Sequence, residues 1–199
     1  MSLTMPVAGL TLLVAAAVPL AAQTPEYGRF WLGVDIGAGQ GAVRCASCNP
    51  EYRPGLAGHV RFGGMATRRL HYGTELSAWI RRRDGADVRI WMLSADLRYH
   101  LPILPALSLR TGFGYLAFLS STEGPDGLRA EFTSEGWAVV AGAAYTIPLT
   151  PGVSLDPFVA YSRQLEGALR LEQIRVDDRA NVNLFQIGLG LTWSQSARD

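Results

Sequence analysis

Ten side chains able to do chemistry fall on one phase of a two-residue rhythm. They are Asp35, Arg61, Glu75, Asp96, Arg98, Arg110 and Asp156, joined by His59, His71 and His100, the chain's three histidines. Acids, imidazoles and nearby hydroxyls could form a hydrolytic site in which a base activates a serine and an acid orients the base. Ser77 and Ser94 are the candidates, beside Glu75 and His71. The spacing favours another use. The histidines are expected at differing depths, and no His-x-Ser motif is present. Burying charge requires pairing, and three arginines against four carboxylates allow it. Counted from the turn ends, Glu75, Asp96, Arg98 and Arg110 sit on three consecutive strands at neighbouring depths, and Asp35 and Arg61 can pair in the same way. The expectation is an internal network of ion pairs and hydrogen bonds, with no catalytic residue.

The two cysteines form Cys45-Ala46-Ser47-Cys48. A redox pair of the thioredoxin kind belongs at a helix N-terminus. Here the pair follows a strand and precedes Asn49-Pro50, so a small loop disulfide is the expectation, and two thiols alone do not complete a metal shell. The residues imply no metal and no cofactor.

The elements that must position these groups are strands. In the last one Phe185, Ile187, Leu189, Leu191 and Trp193 alternate with Gln186, Gly188, Gly190 and Thr192, the mark of a strand with one apolar face. The same rhythm predicts eight strands, over 29–43, 56–65, 70–81, 88–101, 107–120, 136–147, 153–164 and 182–194. The links Ala66–Arg69, Pro102–Ala106 and Pro148–Gly152 read as short turns at one end. Longer polar links, such as Ser121–Glu135, read as loops at the other. The segment Leu165–Ala180 is expected to extend the last two strands. Eight such strands can close into an up-and-down antiparallel barrel without free edges.

Which face points outward follows from the aromatic residues. On the apolar phase Phe30, Tyr72, Tyr99, Tyr145 and Trp193 fall at the turn end, and Trp91, Trp137 and Tyr161 toward the loop end. Leu, Val, Ile and Ala fill the band between. Two rings of amphipathic aromatics bounding an aliphatic band fit headgroups on either side of hydrocarbon, whereas a soluble core has no reason to sort aromatics by depth. The apolar phase should therefore face lipid, and the Gly-, Ser- and charge-bearing phase should fill a narrow interior.

Composition agrees. Of 199 residues 48% are hydrophobic and 18% charged, too few charges for a water-facing exterior. All 18 basic residues are Arg, and the net charge of +1 gives no case for nucleic acid. Residues 1–22 read as a cleaved signal peptide, with an apolar run from Met5 to Leu20 and small residues before Gln23, although the n-region lacks Lys and Arg. Residues 23–199 then form one barrel domain.

The signal, the eight alternating strands and the ending Gly188-Leu189-Gly190-Leu191-Thr192-Trp193 resemble the outer membrane protein beta-barrel domain group, which includes the OmpA transmembrane domain and OmpX-like proteins. The resemblance covers residues 28 to 194. It implies an eight-stranded transmembrane β-barrel in the outer membrane of a Gram-negative-type bacterium, with periplasmic turns and extracellular loops. It also implies a monomer surrounded by outer-membrane lipid and inserted by the barrel-assembly machinery, which reads the closing strand as its signal. Six residues after Trp193 depart from family members that stop at the aromatic, and no cell-wall-binding domain is expected after it. The expected function is a structural or surface-interaction role through the loops, their partner unnamed by the residues. The alternatives are a lipid-modifying enzyme similar to lipid A deacylases, whose chemistry requires Ser, His and acid on the lipid-facing rim, or a narrow pore.

Overall fold

The alternation of small or polar residues with apolar ones drives the chain into long antiparallel ladders. The computed structural model describes residues 30–45, 52–83, 85–123, 129–172, 174–177 and 180–195. The expected signal peptide over 1–22 and Cys48 lie outside the described residues. The elements in chain order are β1 (Phe30–Arg44), β2 (Arg53–Met65), β3 (Leu70–Arg83), β4 (Ala86–His100), β5 (Leu107–Glu123), β6 (Arg129–Tyr145), β7 (Ile147–Thr150), β8 (Val153–Gln164), β9 (Leu169–Leu171), β10 (Ile174–Asp177) and β11 (Asn181–Ser194).

Eight of these make the wall. β1 to β6 follow one another in antiparallel order, β6 pairs with β8, β8 with β11, and β11 returns to β1. The closing ladder runs from Trp31 opposite Ser194 to Arg44 opposite Asn181. The β6–β8 ladder is the short one, from Ala138 opposite Gln164 to Ala144 opposite Phe158. Every wall strand thus has a partner on each side, which removes the unpaired edges that would otherwise be costly in lipid.

Three short strands differ from the sequence expectation. Leu165–Ala180 does not simply lengthen the last two strands. It contains the β9–β10 hairpin, and β9 pairs with β6 at Phe132 and Thr133. Ser121–Glu135 is not a loop throughout, because β5 continues to Glu123 and β6 begins at Arg129. Above the apolar band both faces of a ladder meet water, so the residues there need no alternation to remain paired. At the opposite end the sixth strand stops at Tyr145 rather than 147, and Pro148 belongs to β7, which folds back on β8.

The wall has the expected polarity. Val34, Ile36, Leu93, Leu97, Leu109 and Ile187 are exposed on the outer face. Asp35, Arg61, Glu75, Asp156 and Gln186 are buried inside.

Candidate functional site: the barrel interior

The interior has two storeys. The lower one, toward the short turns, holds the charges. Arg61 on β2 donates from Nη2 to Asp35 Oδ1 on β1 at 2.6 Å and stands 4.0 Å from Asp156 Oδ2 on β8. Arg98 on β4 reaches the same Asp156 oxygen at 3.9 Å. Arg110 on β5 grips Glu75 on β3 with both terminal nitrogens, each 2.6 Å from a carboxylate oxygen. Its Nη2 also lies 3.6 Å from Asp96 Oδ2. A two-pronged guanidinium–carboxylate contact of this kind fixes orientation as well as charge.

Imidazole and hydroxyl groups complete the network. His59 Nδ1 lies 2.9 Å from Glu75 Oε1; an ionised carboxylate can only accept, so Nδ1–H is the donor. Ser94 Oγ donates to Asp96 at 3.2 Å, and Thr192 Oγ1 to Asp156 at 2.5 Å. All seven charged residues expected inside are therefore paired across six wall strands, in two clusters: Asp35, Arg61, Asp156 and Arg98 in one, Glu75, Arg110 and Asp96 in the other. Glycine makes room for both. A Cβ on Gly112 would collide with Asp96 Oδ1, and one on Gly190 with Asp35 Oδ1. Below the array Trp31 closes the turn end, with the guanidinium carbons of Arg61 and Arg98 each 5.9 Å from its ring.

The upper storey is apolar, and the sequence pattern did not reveal it. Trp79, Ile90, Met92, Leu116, Phe118, Ala138, Val140, Val182 and Leu184 form a buried cluster on the inward face. Trp79 lies close to Gly39, Gly41 and Gly55, and its Nε1 donates to Gly39 O at 3.2 Å. Above Trp79 a cavity of about 250 Å³ opens toward the loops, lined by Val43, Arg53, Val88 and Phe118 among others. The signal that could have found this plug was the run of large apolar residues on the otherwise polar phase near the loop end: Trp79, Ile90, Met92, Leu116 and Phe118.

The aromatics expected outside are outside. Phe30, Tyr72, Trp91, Tyr99, Trp137, Tyr145, Tyr161 and Trp193 are all exposed on the outer face. Phe30 lies 6.5 Å from Trp193 across the closing seam, and Trp137 stacks on Phe113 at 5.0 Å. Cys45 is disulfide-bonded, and its sequence neighbour Cys48 falls outside the described residues.

All three histidines face the interior, so none stands on the lipid-facing rim. They do not all lie at differing depths: His71 and His100 meet at the turn end with ring centroids 4.7 Å apart. Asp35, His59 and Glu75 offer ligand atoms within 4.8 Å of one another, a spacing that could suit a metal ion. Arg61 and Arg110 already sit 2.6 Å from those two carboxylates, so guanidinium charge takes the place a cation would fill.

A closed wall with an apolar exterior, two aromatic girdles and a charged interior defines an integral outer-membrane β-barrel. The chain belongs to the outer membrane protein beta-barrel domain family, whose profile matches residues 8–193. Solved structures share the fold. Neisserial surface protein A is 16% identical, with 83% of this chain and 98% of that one covered and a TM-score of 0.54. Ail, the attachment invasion locus protein of Yersinia pestis, is 14% identical, with 84% and 99% covered and a TM-score of 0.59. The outer membrane protein AlkL is 13% identical over 100% and 99%, with a TM-score of 0.52. No curated protein matches the sequence.

Proposed function

We propose that this barrel is a non-enzymatic structural and surface-interaction protein, a monomer that carries its contacts on the loop end and conducts no steady current. The filled interior is the observation behind this reading. Among Asp35, Arg61, Arg98, Arg110 and Phe158 the remaining space is about 10 Å³, room for about one water position. Above it Leu116 and Ala138 have no exposure at all. A hydrated ion would have to break paired charges and then cross an apolar plug.

The loop end is the other half of the proposal, since rigid barrels place variable contacts on their loops. Arg44, Arg53, Arg81, Arg82 and Arg89 gather there on β1 to β4, with Asp87 held between Arg82 and Arg89 at 3.1 and 2.8 Å. Neisserial surface protein A and Ail are, by name, a surface protein and an attachment protein, and their shared framework is in keeping with such a role. Outer-membrane lipid surrounds the barrel, and the assembly machinery inserts it through β11. Planar-bilayer recording of the purified protein tests the closed interior. Silence is expected, and steady current well above the bare membrane would replace this reading with a pore.

A further inference from the structure

The His71–His100 pair is not needed by the charge network, and its surroundings have their own chemistry. Met65, the last residue of β2, is the ladder partner of His71. Directly opposed residues on one sheet face hold their Cβ atoms about 5 Å apart, which puts the imidazole of His71 within reach of the flexible thioether of Met65. His100 approaches from β4 with its ring 4.7 Å from that of His71. Metal–nitrogen bonds of ~2.0 Å place two rings that share an ion roughly 5 Å apart, centre to centre. The three side chains line one cavity of about 110 Å³ at the turn-end mouth of the barrel.

One imidazole is already set for ligation. His100 Nδ1 lies 3.0 Å from the Pro105 carbonyl oxygen. A carbonyl can only accept, so Nδ1 carries the proton and the Nε2 lone pair is left for a ligand. Fixing a ligating histidine through its other nitrogen is the usual support of a metal site. The charged neighbours nearly cancel. Arg98 lines the cavity but faces Asp156, which lines it too. No carboxylate belongs to the donor set itself. Two imidazoles and a thioether form a soft set that prefers Cu(I) to hard cations.

We propose that Met65, His71 and His100 form a cation site at the turn end of the barrel, selective for Cu(I). The donor set takes no residue from the paired-charge array, although Arg98 and Asp156 line the same cavity, and it holds whether or not the loops bind a partner. Cu(I) competition against a chromogenic chelator tests it, using the untagged folded barrel in detergent with Cys45→Ser and Cys48→Ser so that no thiol competes. One Cu(I) per barrel is expected, unaffected by millimolar magnesium. Both His71→Gln and His100→Gln should weaken binding by about tenfold or more. Met65→Leu should weaken Cu(I) while leaving Zn(II) binding nearly unchanged, which separates thioether ligation from mere loosening of the mouth. Heat-modifiable electrophoretic mobility reports whether each variant is folded. If a variant does not fold, histidine ring resonances of the protein with Met65, His71 and His100 intact serve instead, and Cu(I) should move those of His71 and His100 but not His59. Failure to compete with the chelator, equal affinity in the folded histidine variants, or shifts centred on His59 would each overturn the proposal.

Discussion

The two storeys of the interior solve one problem in opposite ways. Both must fill a space too narrow for a channel. The lower storey fills it with charge, so each member depends on a particular partner: Arg110 on Glu75 and Asp96, Arg61 on Asp35. The upper storey fills it with Ile90, Leu116, Phe118 and Leu184, whose packing depends on volume more than identity. Removing half of a buried ion pair leaves an uncompensated charge, whereas trimming an apolar plug leaves a void. The lower storey should be unforgiving of chemistry and the upper one of size.

The largest effect expected is that of Arg110→Leu, which leaves Glu75 and Asp96 facing each other without their shared cation. A loss of about 3–5 kcal/mol is expected, read from urea unfolding of the barrel in lipid vesicles. Adding Glu75→Leu to it should recover a good part of that loss. A single variant within about 1 kcal/mol of the native chain, or a double variant with no recovery, would mean that the array is not a pairing network.

Leu116→Ala should come next, at about 3 kcal/mol in the same assay, because Leu116 is fully enclosed. Leu116→Met should stay within about 1.5 kcal/mol, as volume-conserving swaps usually do. Equal penalties for the two would show that the plug is as exacting as the array below it.

The smallest effect belongs to neither storey and serves as their reference. Arg89, and after it Arg82, donates hydrogen bonds to Asp87 beyond the loop-end girdle and holds its carboxyl below the usual range. A carboxylate lowered in the folded state contributes stability above its ordinary pKa, and that contribution fades as pH falls through the lowered value. Amide protection at the β3–β4 tip, taken relative to the intrinsic exchange rate at each pH, should therefore fall only under acid. The change should be slight and removable by salt, because the group is exposed to screening. A fall in protection at neutral pH would contradict this pairing.

Most of the wall was legible because lipid and a narrow interior impose opposite demands on alternate residues. That demand is strict enough to place Asp35, Arg61 and Trp193 on their correct faces. Depth within the interior was less legible. Strand stagger sets which residues meet across the ring, so His71 and His100 read as separate positions although their rings touch. The apolar plug was hidden for a different reason. Ile90, Leu116 and Val182 share a phase with Ser94, Gly114 and Gln186, and alternation averaged along a strand does not show that one phase changes character halfway. The β9–β10 hairpin was missed because it stands above the apolar band, where pairing leaves no hydrophobic trace.

The seam between β1 and β11 has a temporal meaning as well. Its two sides, Trp31 and Ser194, stand at nearly opposite ends of the strand sequence, while every other wall contact joins strands that follow one another or are separated only by β7 or the β9–β10 hairpin. Neighbouring hairpins can form early and cheaply, but the last ladder must draw together a loop of the whole domain, and such long-range closures are slow. Until it forms, β1 and β11 each present an unsatisfied edge. Half-made barrels are therefore the species most exposed to proteolysis and to mispairing with other chains, and the survival of this protein depends on how quickly its final strand finds its first.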